Sequence, residues 1–477
     1  MEKIIKDILE IPEETQTLEF KRLNGNKVVA KIIQTIVAMA NTDGGHIILG
    51  VDDPEKTKLK GEARIFGIEE NKTLYDEILQ KLKRIIPPFN SLAINTIKFD
   101  NEKTIILLKI PKSTESFLAI ENQVFIRLYK SNKKLSPQEI IKLSYAKGFE
   151  KADRELVDVD FDLLQTEYFE MWRKARKIGN DKIENILFKT GLAKKDKNKS
   201  LKPTRASVLL FTEFPTNLME TKCTIRVYRY QGTIEKFQKV PNLIGKPKTI
   251  DGPTIKLIKD AHEYILKLLE SGIEMHSGFV TKYKIPKRAI EEAITNAVIH
   301  RDYHIKRDIE IKIFEDRVEI LSPGLFPYNI TKQNIGSVRA DGYRNDLLVK
   351  HLREFPDPPN LDRNEGVQAM RNEMDKKNLF PPIFLTYPVL QDSIEVFLFN
   401  EEKPSEWEKV LTYLKENNYI DNKKAREITG IIQMDKMSKL FKKWVTKGVI
   451  TRIPSDLKIK KNVRYKLASQ NNGDSEL

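Results

Sequence analysis

The sequence predicts a chain of several domains, α/β and α+β in class. Three observations carry that prediction. Helical and strand periodicities alternate through residues 1–135 and again through 201–403. A charged, mainly helical stretch, 136–200, connects them. Residues 404–470 then condense short amphipathic helices and two strands into a terminal unit, and 471–477 is expected to be a disordered tail. At 477 residues the chain exceeds what one ordinary core organises; roughly two to four domains are expected at that length.

Composition narrows the class. Apolar residues make up 40% and charged residues 32%, the balance of a globular chain and not of a disordered one. The longest apolar stretch, Ile32 to Val51, is broken by Gln34, Asn41, Asp43 and the pair Gly44-Gly45. A bilayer span needs about 20 predominantly apolar residues, so no membrane partner is expected. The first residues alternate charges with isoleucines and give no basic-then-apolar export pattern, so a cytoplasmic setting is expected. Cys223 is the single cysteine, which excludes an intramolecular disulfide and a zinc ribbon. The net charge of +15 points to a polyanion partner or to solubilising lysines. The run Lys436, Lys439, Lys442, Lys443, Lys447, Arg452, Lys458, Lys460, Lys461 concentrates it at the C-terminal end.

The elements follow in order. Helical spacing covers Lys27 to Asn41 and Leu74 to Ile85. Strands are expected at His46 to Val51, Thr104 to Ile110 and Val124 to Leu128. Lys194 to Lys202 is expected to be an exposed loop. Ala206 to Phe211 and Thr224 to Tyr230 are expected strands. Long helices are expected from about Gly252 to Ser271 and from Pro286 to His300. Ile309 to Phe314 and Val318 to Leu321 alternate around Glu315-Asp316 as a hairpin does. Residues 323–366, rich in Pro, Gly, Asn and Arg, are expected to form a long mobile loop, and such a connection is usually functional.

Glu14 and Glu19 stand five residues apart just ahead of the first helix, and Asp52-Asp53 follows a strand that ends at Gly50. Carboxylates brought together in this way bind Mg²⁺ or Mn²⁺, hard cations that take oxygen ligands and assist phosphodiester hydrolysis. Acids near turns are also common without any such role. Glu14-x-x-x-x-Glu19-Phe20-Lys21, followed by Ala-Met-Ala-Asn-Thr-Asp-Gly-Gly-His-Ile-Ile-Leu-Gly-Val-Asp-Asp from Ala38 to Asp53, resembles the Schlafen/AlbA-like domain over roughly residues 1–135. That resemblance implies nucleic-acid handling. It also implies that Glu14, Glu19 and Asp53 are the acids that some members use for RNA cleavage, with Asp52 second in line.

The Gly-x-x-x-x-Gly-Lys-Ser/Thr phosphate loop is absent, and Gly245-Lys246-Pro247-Lys248-Thr249 lacks its first glycine and its strand. The segment Arg288 to His300 is more informative. Four-residue spacing puts Glu292, Asn296 and His300 on one helical stripe. Asparagine is a poor mid-helix residue. Its amide oxygen can ligate Mg²⁺, and a glutamate beside it can polarise water; an exposed polar face is the plain alternative. His300 and His304 share the spacing of a zinc pair, but no third ligand accompanies them.

Asn296-Ala-Val-Ile-His300-Arg301-Asp302-Tyr303, then Glu319 to Gly324, Arg344-Asn345-Asp346 and Asn364-Glu365-Gly366-Val367 together resemble the GHKL ATPases. More closely, they resemble a subgroup described as a helicase-like C-terminal domain. The resemblance implies an α/β sandwich that binds ATP and Mg²⁺. Glu292 is then the general base and Asn296 the metal ligand, with Ser322, Gly324, Asn345 and Gly366 around the nucleotide. Two departures stand out: Ser322 replaces the aspartate that bonds the adenine amino group, and the second glycine box shrinks to Asn364-Glu365-Gly366-Val367.

The terminal unit shows helices at Trp407 to Glu416, Lys423 to Thr429 and Asp435 to Lys447, broken by Gly430 and Gly448. Strands follow at Val449 to Ile453 and Val463 to Leu467. This is a winged helix-turn-helix pattern and resembles many bacterial regulators. Lys436, Lys439, Lys442 and Lys443 lie opposite the apolar side of the third helix, where they can neutralise phosphates. A protein-binding winged helix is the alternative.

Two functions fit this architecture. The first, which is favoured, is an ATP-binding regulator that binds nucleic acid, duplex DNA ahead of RNA. The second is a metal-dependent nuclease gated by ATP, acting in stress response or antiviral defence. The arginines Arg339, Arg344, Arg353 and Arg363 of the long connection, with both resemblances, imply a homodimer.

Overall fold

The structure is a computed structural model that describes residues 8–25, 27–99, 102–219, 221–236, 242–273, 280–359, 366–447, 449–453 and 463–468. Arg363, Asn364, Glu365, Gly448, Lys458, Lys460, Lys461 and the expected tail 471–477 lie outside the described residues. The chain divides into two compact units, 1–401 and 402–477.

The first unit opens with a four-stranded sheet. Its elements are β1 (Leu18–Lys21), α1 (Val28–Ala40), β2 (Gly45–Leu49), α2 (Lys72–Leu82), β3 (Ala93–Lys98) and β4 (Thr104–Ile110). The strand order is β1-β2-β4-β3, with β1 parallel to β2 and the other pairs antiparallel. Alternation along each strand decides which side a residue faces. Ile47, Leu49, Ile106, Leu108 and Ile110 join α1 in one core, while Ile48, Ile105, Phe20 and Leu18 fill a second.

The turn from α1 to β2 explains its residues. Asn41 donates to Leu118 O and Phe125 O and accepts from Leu118 N, so one buried amide holds a distant strand. A Cβ on Gly44 would lie 2.5 Å from Ile110 O, and one on Gly45 2.7 Å from Thr17 O, so both positions require glycine. The strand β5 (Phe125–Leu128) pairs with β6 (Ser131–Lys134).

A connection follows: α3 (Pro137–Lys147), α4 (Glu167–Ala175), α5 (Ile183–Thr190), β7 (Ala193–Lys195) and β8 (Leu201–Pro203). Ser136 and Glu139 cap α3 reciprocally, and Gly148 ends it in the left-handed region. The expected helical connector 136–200 is part of a larger core. Leu164, Phe169, Trp172, Ile186 and Leu187 are buried in one cluster with the strands and helices that follow. Lys194 to Lys202 is a short hairpin, β7–β8, in place of the expected loop. Its turn is held by Asp196, whose carboxylate accepts from Asn198 N and Ser200 N.

The remaining elements of the unit are α6 (Arg205–Phe211), α7 (Pro215–Leu218), β9 (Ile225–Arg229), β10 (Lys248–Ile250), α8 (Thr254–Ser271) and α9 (Lys287–His300). After these come β11 (Ile309–Ile313), β12 (Arg317–Pro323), α10 (Asp346–Leu352), α11 (Gly366–Lys376), β13 (Ile383–Leu385) and β14 (Ser393–Phe399). The six strands run β10-β9-β11-β12-β14-β13, parallel only at β9–β11. Helix α9 packs on β12 and β14 and between α8 and α11. Ala206 to Phe211 is helical where a strand is expected. Every one of those residues is buried, and a run apolar on all sides carries no period; the Thr204 hydroxyl, accepting from Ser207 N, starts the helix.

The second unit holds α12 (Glu406–Glu416), β15 (Ile420–Asp421), α13 (Asn422–Thr429), α14 (Met434–Thr446), β16 (Ile450–Arg452) and β17 (Arg464–Leu467). Its sheet runs β15-β17-β16. Val410, Leu414, Ala425, Met437, Phe441, Trp444 and Ile450 form its core. Asp421 caps α13, and Gly430 ends it in the left-handed region. No helix among the described residues of either unit is long and apolar enough to cross a membrane.

Candidate functional site

The site is built on α9. Its buried face, Ala289, Ile290, Ala293, Ile294, Ala297 and Val298, has the three- and four-residue spacing of a core stripe. That packing turns Glu292 and Asn296 towards a cavity of about 720 Å³. The Asn296 amide donates to Glu292 Oε1 at 2.9 Å. Burial pushes the Glu292 carboxyl above its usual range, against the pull of Asn296 and the Arg288 charge.

Strands supply a second wall with Ile320, Ser322, Ile394 and Val396. Segment 326–343 supplies a third, with Phe326, Ile330 and Ile335 in a small apolar cluster of their own. The expected mobile loop 323–366 is therefore partly structured. It carries this cluster and helix α10, because its apolar residues are numerous enough to bury one another.

Gly366 starts α11 directly against the acid: a Cβ there would lie 2.8 Å from Glu292 Oε1. Ser322 lines the cavity, yet its hydroxyl donates to Ala297 O at 2.8 Å. Gly324 also lines it, at φ 114°; a Cβ would meet Asp302 N at 3.2 Å and Arg344 Cζ at 3.3 Å. Its glycine character is thus fixed by protein neighbours and not by room for a base. Asn345 does not line the cavity. It is fully buried, and its amide donates to Ile299 O and Arg301 O, both at 2.9 Å, satisfying carbonyls that the end of α9 leaves open.

Two residues beside the cavity matter here. Arg344, one of the arginines expected to reach phosphates or a partner subunit, is instead buried and donates to His300 O, Leu325 O and Tyr145 O, joining the end of α9, the cavity wall and the end of α3. Tyr343 stacks on His300 with ring centroids 5.4 Å apart. Neither contact leaves a local sequence signal, since the partners are far apart in the chain. His304 is held by Asp302 at 2.9 Å and Glu155 at 2.6 Å, so both ring nitrogens are engaged by carboxylates.

The N-terminal acids come near one another but do not form a ligand set. Glu14 accepts from Phe20 N at 3.0 Å and from Lys21 Nζ at 3.2 Å. Glu19 lies within β1, the strand ahead of α1, and pairs with Lys21 and Arg127. Period two places Lys21 on the same side of the strand as Glu19. Burial and the neighbouring Glu19 raise the Glu14 carboxyl. Asp53 is opposed by burial, but Lys56 and the Glu55 amide hold its carboxyl below the usual range. Among the described residues no group of three or more His, Cys, Asp or Glu is arranged to hold a metal ion. Around Glu14, Glu19 and Asp53, the acids expected to hold Mg²⁺ or Mn²⁺, stand the side chains of Lys21, Arg127 and Lys56. In the second unit Lys436, Lys439, Lys442 and Lys443 are all exposed on α14.

Residues 14–136 match the family described as "Schlafen, AlbA_2". Residues 306–390 match the family described as "Putative ATP-dependent DNA helicase recG C-terminal". The first match spans the acids and the Gly44-Gly45 turn. The second spans β11 to Tyr387-Pro388, including Ser322, Gly324, Asn345 and Gly366 but not α9. Together they support the order of an AlbA_2-type part followed by a recG-type part. A search of curated proteins gives no match. Among solved structures, the DIP2311 protein from Corynebacterium diphtheriae is similar at 15% identity and a TM-score of 0.39, over 95% of each chain.

Two neutral histidines bear on α9. Burial lowers both His300 and His262 to about 4, and His262 is bonded to Glu291 O at 2.9 Å. Their ordinary value is 6.5. Below it the unfolded chain takes up protons that the native state refuses, so stability is lost as pH falls towards 4, by about 1.4 kcal/mol per pH unit for each. His300→Asn should therefore lose about 2 kcal/mol less than the wild type between pH 7 and 5. Urea unfolding of the first unit at the two pH values checks this; equal losses in the two proteins would contradict it.

Proposed function

We propose that the chain is an ATP-responsive regulator that binds nucleic acid, with duplex DNA its preferred partner. The observation that carries the reading is the pair Glu292 and Asn296, side by side on a core helix and facing a cavity bordered by the start of α11. The six-stranded sheet backed by α8, α9 and α11 is consistent with a GHKL-type sandwich. ATP would enter with its base towards the apolar walls. Its phosphates would lie near Asn296 and the N-terminal end of α11, where helix amides favour anions. The amide oxygen of Asn296 is the atom for Mg²⁺, since its nitrogen is engaged with Glu292. Burial raises the Glu292 carboxyl, which makes its carboxylate a stronger acceptor of a proton from water.

The second unit supports the DNA half of the proposal. Three helices and a small sheet fit a winged helix-turn-helix, with the exposed lysines of α14 as phosphate contacts. We favour this regulator over a metal-dependent nuclease because Lys21, Arg127 and Lys56 neutralise the acids that a nuclease would use. A homodimer and a cytoplasmic setting belong to the same proposal.

Asn296→Ala should weaken binding of a non-hydrolysable ATP analogue in Mg²⁺ by at least about tenfold, the equivalent of 1.4 kcal/mol. Calorimetric titration reads this directly, and an unchanged affinity would remove the nucleotide half of the proposal. For the other half, each neutralised phosphate contributes about −0.9 to the slope of log K against log salt. Replacing Lys436, Lys439, Lys442 and Lys443 together by alanine should make the slope on duplex DNA shallower by about 3 to 4. An unaltered slope would move the DNA-binding surface elsewhere.

A further inference from the structure

A small second cavity lies within the first unit where the four-stranded sheet part meets the wall of the large cavity. Its volume is about 30 Å³, and its lining includes Asp43, Lys112, Lys147, Phe326, Thr386 and Tyr387. Phe326 lines the large cavity as well.

The polar lining includes two lysines, two hydroxyls that can donate or accept, and one carboxylate. The Lys112 ammonium gives two of its three protons to Phe326 O at 2.9 Å and Ile330 O at 2.8 Å. The Lys147 ammonium gives one to Thr42 O at 3.3 Å. The Thr386 Oγ1 and Tyr387 hydroxyls are buried without a hydrogen-bond partner among the described residues, and Thr386 is only 3% exposed. Asp43 contributes the single carboxylate, and it accepts from Gln16 at 2.7 Å. The lining therefore carries two positive charges against one negative, with two orphan hydroxyls.

Size and charge restrict the occupant. About 30 Å³ gives room for a small occupant such as water or a monatomic ion. Two ammonium groups repel a cation. A water molecule can place its protons on the hydroxyls or on Asp43, but it offsets no charge. A monatomic anion accepts from ammonium and hydroxyl donors alike and balances the excess positive charge. We propose that this cavity is a chloride site that ties the AlbA_2-type part to the wall of the large cavity. Burial first, and then the Arg344 charge, lowers Lys112 to about 8, and burial with the Lys112 charge pushes Lys147 well below its usual range; an anion between them favours their charged forms.

Crystals of the full chain grown in sodium bromide test this. An anomalous peak is expected within hydrogen-bonding distance of Lys147 Nζ and the Thr386 and Tyr387 hydroxyls. In solution, thermal unfolding in sodium chloride against sodium gluconate at equal ionic strength should show a saturable rise in midpoint with chloride. Thr386→Val combined with Tyr387→Phe keeps shape while removing both hydroxyls, and it should lose most of that rise. Lys147→Met should lose all of it. A water-like peak with no anomalous signal would overturn the proposal. So would a peak with no chloride-dependent rise, an adventitious ion only, or a rise of equal size in the wild type and the double variant.

Discussion

The guanidinium of Arg344 is the contact on which the arrangement of the first unit depends. A buried charge is costly unless its donors are satisfied. Arg344 meets that demand with backbone carbonyls from three separate places: His300 at the end of α9, Leu325 at the start of the cavity wall, and Tyr145 near the end of α3. Asp302 stands 4.0 Å away as its counter-charge. Two glycines lie against the same group. A Cβ on Gly148 would come within 3.2 Å of its side chain, and one on Gly324 within 3.3 Å. Both glycines also have positive φ, at 76° and 114°. The positive φ and the close approach of this arginine together favour glycine at the end of α3 and at the end of β12.

With that anchor in place the large cavity follows. The end of α9 is fixed from outside by Arg344 and Asn345, and its core face is fixed by the sheet, so the direction in which Glu292 and Asn296 face is decided by packing on both sides. The same logic separates Asn296 from Asn345. Each is a polar residue in a motif that resembles a nucleotide site. Asn296 faces space, while Asn345 spends its amide on the open carbonyls of a helix end. Residue type alone does not tell a ligand from a cap; the number of unsatisfied backbone groups nearby does.

Much of this was legible in the sequence where the signal is local. The stripe on α9, the β11–β12 hairpin, the Asn41 to Gly45 turn and the three helices of the second unit all have a period or a cap that neighbours in sequence reveal. What was not legible depends on distance along the chain. Arg127 reaches Glu19 across 108 residues, a pairing that no local pattern reveals. Trp172 joins a core made mostly of later elements, so the stretch expected as a connector belongs to the domain that follows it. Strand β1 was missed because its four residues, two of them charged, are too few to show alternation. Helix α6 was misread because a segment buried on every side has no polar face to set a period.

The charge of the chain is divided by the same packing. Near β1 the acids are buried and matched by cations, whereas the lysines on α14 stand exposed opposite a core face. The central claim is that the cavity under α9 takes ATP, and photolabelling tests it most directly. The full chain is irradiated with azido-ATP in the presence of Mg²⁺, and the labelled peptides are mapped. The account predicts label within α9 or the stretch from β12 to Tyr343, and its loss when excess ATP is added. Label scattered over surface lysines, or undiminished by ATP, would contradict it.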